Sequence, residues 1–155
     1  VCVGLGALRM APHLRQFMHP AAWSTTRLRQ EALAIKAALP AGSPACVATL
    51  SPIRALEAGA RIYPELASGP FSFRSGDLLR PEKVKALHGA SPATLAQILD
   101  EKPPTAVLVG YEGDDRIDLD GTLVAYAASR NYREVSFRAG NARLFLNPTP
   151  FAKCG

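Results

Sequence analysis

The chain has 155 residues, of which 48% are hydrophobic and 20% charged, with a formal net charge of +5 at neutral pH. That length suits one domain with a real core, and the composition excludes wholesale disorder. Arginine outnumbers lysine and binds phosphate and carboxylate bidentately, so a basic surface would suit nucleic acid, anionic lipid headgroups or a phosphorylated ligand. Solvated arginines that reflect base composition are the plainer reading. No block of consecutive basic residues and no zinc-finger, KH or RRM pattern occurs, so no nucleic-acid partner is expected.

Residues 1–23 read as an irregular N-terminal segment. "VCVGLGALRM" is apolar but far short of the roughly 20 residues of a membrane span, and suits the last turns of one. Its "GLG" is part of no dinucleotide loop. Residues 24–155 read as a single α/β domain. "STTRLRQEALAIKAALP" has a Ser or Thr cap, then Leu28, Ala32, Ile35 and Leu39 at helical spacing, and Pro40 as stop. "ACVATL" (Ala45 to Leu50) reads as a buried strand, and "SPIRALEAG" as a short helix with Ser51 as cap, Pro52 first and Gly59 as stop.

Glu57 to Asp77, "EAGARIYPELASGPFSFRSGD", holds too much Gly, Pro and Ser for a long helix and is too interrupted for a regular strand. It reads as an ordered loop whose aromatics anchor it or line a shallow groove. A short helix follows from Pro81 to His88. Another is capped by Ser91, faces inward with Leu95, Ile98 and Leu99, and stops at Pro103-Pro104. "TAVLVG" (Thr105 to Gly110) reads as a second buried strand, "YEGDDRIDLDG" as an acidic loop, and "TLVAYAASRN" as a helix stopped near Asn131. "YREVSFRAG" and "NARLFLNP" alternate as a hairpin. The order predicts an α/β three-layer sandwich with a mainly parallel central sheet and an antiparallel C-terminal hairpin.

No GxSxG, HExxH or P-loop is present, so no catalytic residue and no cofactor is expected from this chain. His13, His19 and His88 are scattered. Cys2, Cys46 and Cys154 form no CxxC, and their odd number cannot close completely into internal disulfides. Cys46, in an apolar run, reads as a small buried hydrophobe. The acidic loop has part of the spacing of an EF-hand but not its glycine or its bidentate glutamate. It reads as a solvated turn without a metal site, with Asp114 or Asp115 at most a weak cation contact. In sheets of this kind ligands lie beyond the carboxyl ends of the strands, which brings forward Glu57, Arg61, Tyr111 and Glu112 as pocket residues for a sugar phosphate or a nucleotide. Tyr63, Glu65 and Arg74 of the long loop complete the candidate ligand-binding set.

"ATLSPIRALEAGARIYPELASGPFSFR" and "EKPPTAVLVGYEGDD" resemble the C-terminal soluble region of bacterial multi-spanning glycosyltransferases of the dolichyl-phosphate-mannose–protein mannosyltransferase type. The likeness runs from Trp23 to Asn147. It implies a polyprenyl-phosphate-linked sugar donor and a place on the extracytoplasmic, periplasmic side of the inner membrane. It further implies partnership with the membrane-embedded part of the same polypeptide and with lipid-linked sugar phosphate or an anionic lipid surface. The acidic base of that family lies in a loop between early membrane helices, and no residue here matches it. The resemblance therefore implies an accessory domain without catalysis of its own. A free-standing small-ligand binder or enzyme is the alternative, and a plain protein-interaction domain a third.

Overall fold

A computed structural model describes residues 23–42, 44–112, 118–135, 137 and 141–149. Helix α1 (Ser24–Ala38) leads into strand β1 (Cys46–Ala48), helix α2 (Pro52–Glu57) and strand β2 (Arg61–Ile62). A 3-10 turn (Pro64–Leu66) and three short helices follow: α3 (Pro70–Gly76), α4 (Pro81–Ala86) and α5 (Leu95–Glu101). Strand β3 (Ala106–Val109), helix α6 (Gly121–Ser129) and strands β4 (Arg133–Val135) and β5 (Arg143–Leu146) complete the fold. It is the α/β class that the alternation of buried runs and amphipathic stretches predicts.

The sheet order is β2-β1-β3-β5-β4. β2, β1 and β3 run parallel, with Cys46 opposite Arg61 and Ala48 opposite Val107. β5 is antiparallel to β3 along four residue pairs and antiparallel to β4, so the C-terminal hairpin closes one edge. Every residue of β1 and β3 is buried, as strands covered on both faces require. Their side chains alternate between two clusters. Val47, Ala106 and Leu108 meet Ala32 and Ile35 of α1 and Ala55 of α2. Cys46, Ala48, Val107 and Val109 meet Phe73 of α3, Leu95 and Leu99 of α5, and Leu123 of α6.

The Glu57–Asp77 stretch is not a loop. It holds the end of α2, the edge strand β2, the 3-10 turn and α3. The prolines that argue against a long helix instead start two short ones, since Pro64 and Pro70 each take a first position where no amide hydrogen is needed. Gly69 caps α3 at φ +62°, and a Cβ there would lie 2.8 Å from the Leu50 carbonyl oxygen. Only glycine lets α3 approach the exit of β1 so closely.

Smaller departures have local causes. Trp23, not a serine or threonine side chain, holds the cap of α1, its carbonyl accepting from the Arg27 amide at 3.0 Å. Ser91 opens a turn rather than the helix itself: the Thr94 hydroxyl accepts from the Ser91 amide at 3.0 Å, and α5 begins at Leu95. Cys46 is fully buried as a small hydrophobe would be, yet it is also disulfide-bonded. Residues 1–22, Asp114, Asp115 and Cys154 lie outside the described residues, and with them the N-terminal segment and the weak cation contact of the acidic loop.

Below the sheet a polar lock joins three segments. The buried Tyr132 hydroxyl donates to the Pro104 carbonyl at 2.9 Å and accepts from Asn147 Nδ2 at 3.0 Å, while Nδ2 also reaches the Pro104 carbonyl at 3.0 Å. Tyr132→Phe removes one donor and one acceptor from a buried site and is expected to cost about 1–2 kcal/mol. The check is the urea midpoint of the variant against the parent, and an unchanged midpoint would mean that water already serves these groups equally well.

Candidate functional site

β1 and β3 are adjacent, but the chain leaves them in opposite directions. From β1 it crosses through α2 to β2; from β3 it proceeds through α6 to the β4–β5 side of the sheet. Between the carboxyl ends of two strands whose connections diverge in this way a ligand crevice is expected. Its near wall is Ser51, which ends the β1 exit and starts α2. Its far wall is Gly110 to Glu112, which ends β3, and Asp120, which precedes α6.

Gly110 makes the far wall. It sits at φ +98°, and a Cβ would fall 2.4 Å from the Asn141 carbonyl oxygen, so the chain can turn off β3 against β5 only without a side chain. The turn aims the Gly110 amide at the buried Asp120 carboxylate, which accepts from it at 2.7 Å and from the Glu112 amide at 3.2 Å. One carboxylate thereby ties the exit of β3 to the entry of α6. Burial raises the Asp120 carboxyl above the ordinary range, against the hydrogen bonds from the Gly110, Glu112 and Tyr111 amides, and the charge of Asp118 adds to the rise. Desolvation wins that contest.

The Glu112 carboxyl is also raised, first by burial and then by the neighbouring Asp120 charge, while a hydrogen bond with the Ser51 side chain and the Arg54 charge oppose the rise. Ser51 and Glu112 thus face each other across the two strand exits. Behind it, the guanidinium of Arg54 is 2.8 Å from the Glu31 carboxylate of α1 and lies 3.9 Å from the centroid of the Tyr111 ring. Burial pushes the Tyr111 hydroxyl up to about 12, with the Glu31 charge adding and the Arg54 charge opposing.

A cleft of about 560 Å³ opens beside this wall, lined by Glu112, Asp118 and Asp120 on one side and by Val124, Ala125 and Ala128 of α6 on another. Arg143 also borders it, but its guanidinium is already held by two hydrogen bonds of 2.9 Å to the Glu134 carboxylate. Among the described residues carboxyls therefore dominate the cleft. Its field opposes a phosphate, while carboxyls both accept from and, when protonated, donate to hydroxyl groups. Among the described residues no group of three or more His, Cys, Asp and Glu is placed to hold a metal ion.

Of the seven candidate ligand residues, the structure brings Glu112 to the lining of the cleft and places Tyr111 beside it, under Arg54. The others lie elsewhere. Glu57 is at the far end of α2 from Ser51 and pairs with Arg29 at 2.8 Å on the surface. Arg61 stands opposite Cys46, at the start of the parallel strands rather than their carboxyl ends. Tyr63 is buried, its hydroxyl donating to the Lys102 carbonyl. Glu65 is half-buried in the 3-10 turn, and Arg74 is exposed on α3. Sequence reasoning missed Glu31, Ser51, Arg54 and Asp120 as members of the site. For Asp120 a signal was there: an aspartate next to glycine directly before an apolar helical run.

No family model, no curated protein and no solved structure matches this chain.

Asp120→Asn keeps an oxygen to accept from the Gly110 and Glu112 amides but removes the titration. Because the folded carboxyl is raised, its contribution to stability is full below the ordinary carboxylate range and declines as pH rises through the folded value. The variant is expected to lose less stability than the parent as pH rises above the ordinary carboxylate range, measured as urea midpoints in a pH series. Parallel pH profiles for the two proteins would show that Asp120 does not carry the effect.

Proposed function

We propose that this chain is a binding module without catalysis of its own, the extracytoplasmic accessory domain of a membrane glycosyltransferase that uses a polyprenyl-phosphate-linked sugar. The cleft between the exit of β3, α6 and Arg143 of β5 is the place where it holds a neutral, hydroxyl-rich group such as the sugar of the donor or of the acceptor. This cleft, on the β3 side of the switch point, carries the binding part of this reading. It couples carboxyls raised by burial to an aliphatic wall on α6, a pairing suited to sugar hydroxyls and the apolar face of a sugar ring. Its acidic lining disfavours the sugar-phosphate and nucleotide ligands of the free-standing alternative. The glycosyltransferase part rests on the resemblance of residues 48–74 and 101–115.

The disulfide at Cys46 supports the compartment, since such bonds persist in oxidising surroundings and are rare in the cytosol. No helix among the described residues is long and apolar enough to cross a membrane, so the membrane association in this proposal comes from the rest of the polypeptide and from the surface considered below.

Calorimetric titration of the chain with neutral hexosides is expected to give weak saturable binding, with affinity in roughly the millimolar range, and weaker binding of the corresponding sugar phosphates. Ala125→Trp places an indole in the cleft from an exposed helix position and should abolish the heat of binding while the circular dichroism stays that of the parent. Preference for the phosphorylated sugars would overturn the reading of the crevice.

The compartment is tested separately. Alkylation of denatured, unreduced protein should label one of the three cysteines, and all three after reduction. Labelling of all three without reduction, in protein isolated from its native source under acid quench, would remove the support for an oxidising compartment.

A further inference from the structure

The three most exposed large apolar side chains among the described residues are Leu78 at 86%, Phe71 at 83% and Leu87 at 70%, and all lie on the α3–α4 segment. Their placement follows from the helix period. Phe73 and Gly76 turn α3 inward, so Phe71, Arg74 and Leu78, at spacings of three and seven, share the outer face. The Ser75 hydroxyl donates to the Phe71 carbonyl at 3.1 Å, and the Leu78 and Leu79 amides bond back to Ser75 and Gly76 at 3.0 and 3.1 Å, which carries the winding past the end of the helix. On α4, Val84 turns inward and leaves Lys83, Lys85 and, just beyond, Leu87 outside.

Basic residues alternate with these apolar ones along the segment. Arg74, Arg80, Lys83 and Lys85 are all exposed, against Asp77 and Glu82 as the acidic residues of the same segment. Among the described residues the side chain of Arg74 has neither a hydrogen bond nor an ion pair, so no internal carboxylate claims it. Exposed apolar side chains set among long cationic ones are the arrangement that a bilayer interface stabilises: apolar groups enter at headgroup depth while lysine and arginine extend toward phosphates. A protein partner would have to supply an apolar recess ringed by acid, whereas an anionic leaflet presents both features as a continuum.

We propose that the outer face of α3–α4 docks on an anionic lipid surface, with Phe71, Leu78 and Leu87 entering the headgroup boundary and Arg74, Arg80, Lys83 and Lys85 facing lipid phosphates. The proposal deepens the reading of the chain as a domain working beside a membrane and is independent of what the crevice binds.

The test is flotation of the whole chain with vesicles of phosphatidylcholine alone and of phosphatidylcholine with phosphatidylglycerol. Binding is expected on the anionic vesicles and is expected to weaken with added salt. The double variant F71S/L78S should lower partitioning by about tenfold or more, and R80E/K83E should do the same. R133E, a charge reversal on the exposed edge strand β4, should change it by less than about twofold. All these positions are exposed, so circular dichroism should report the parental fold throughout. Failure to bind the anionic vesicles overturns the proposal and directs attention to a protein partner for this face. Binding that F71S/L78S leaves intact overturns it too, because the net charge alone would then explain the attraction. The hexoside titration repeated on F71S/L78S keeps the two sites apart: lost flotation with retained sugar binding locates the effect in the α3–α4 face, and loss of flotation and of sugar binding together would overturn the independence of the two surfaces.

Discussion

The parallel pairing of β1 and β3 is the constraint on which the rest of the structure depends. Both strands are buried along their whole length, so their backbone groups must find partners in each other and in the strands on either side, β2 and β5. The ladder is fastened at its start: the Thr105 amide donates to the Cys46 carbonyl at 2.8 Å, and the Cys46 amide donates to the Thr105 hydroxyl at 3.1 Å. Parallel neighbours cannot be joined by a tight turn. The chain therefore spends α2, β2 and the three short helices in passing from one strand to the other, and it leaves β3 toward the opposite side. The crevice is the geometric residue of that requirement.

What fills the walls of the crevice follows from competition between desolvation and hydrogen bonding. Asp120 receives backbone amides, which favour its charged form, yet its burial outweighs them. Glu112 has the same balance with Ser51 and Arg54 as its weaker opponents. Arg54 is drawn toward Glu31 and the Tyr111 ring, so its charge serves the packing of α1 on α2 more than the cleft. Among the described residues the cleft is thus left with carboxyls and no uncommitted cation. That is a poor environment for a phosphate and a workable one for hydroxyls.

Much of the architecture was legible because periodicity and punctuation agree. Cys46 to Ala48 and Ala106 to Val109 are short apolar runs bounded by turn residues, and Ser51-Pro52 and Gly59 bracket α2 as their chemistry requires. The stretch from Glu57 to Asp77 was misread because its elements are too short for periodicity to register. β2 has two residues, and its identity as a strand comes from pairing with β1, a non-local fact. α3 has only two inward residues, Phe73 and Gly76, so no apolar stripe marks it. The candidate site was legible in location, from the rule about strand ends, but not in membership. Arg61 follows β1 closely in sequence, yet the parallel crossover returns it to the start of the strands, and the Tyr63 hydroxyl turns to the Lys102 carbonyl ahead of β3. Conversely Glu31 reaches the site from α1, a helix with no sequence proximity to either strand exit.

The misread stretch also connects the two surfaces. Gly69 seats the start of α3 against the Leu50 carbonyl, and Leu50 directly precedes Ser51, the near wall of the crevice. A side chain at position 69 would push α3 away from that strand exit, so the glycine fixes the outward face of Phe71, Arg74 and Leu78 relative to β1. The inward anchor is Phe73, buried in the same cluster as Leu50 and Val109. With α3 held at both points, its outer face cannot tilt without disturbing the core beside β1 and β3. A chain resting on lipid through that face would consequently hold its cleft, lined by Val109 of the same cluster as Phe73, at a set height and orientation above the surface. Gly69 and Phe73 would make that coupling mechanical rather than incidental.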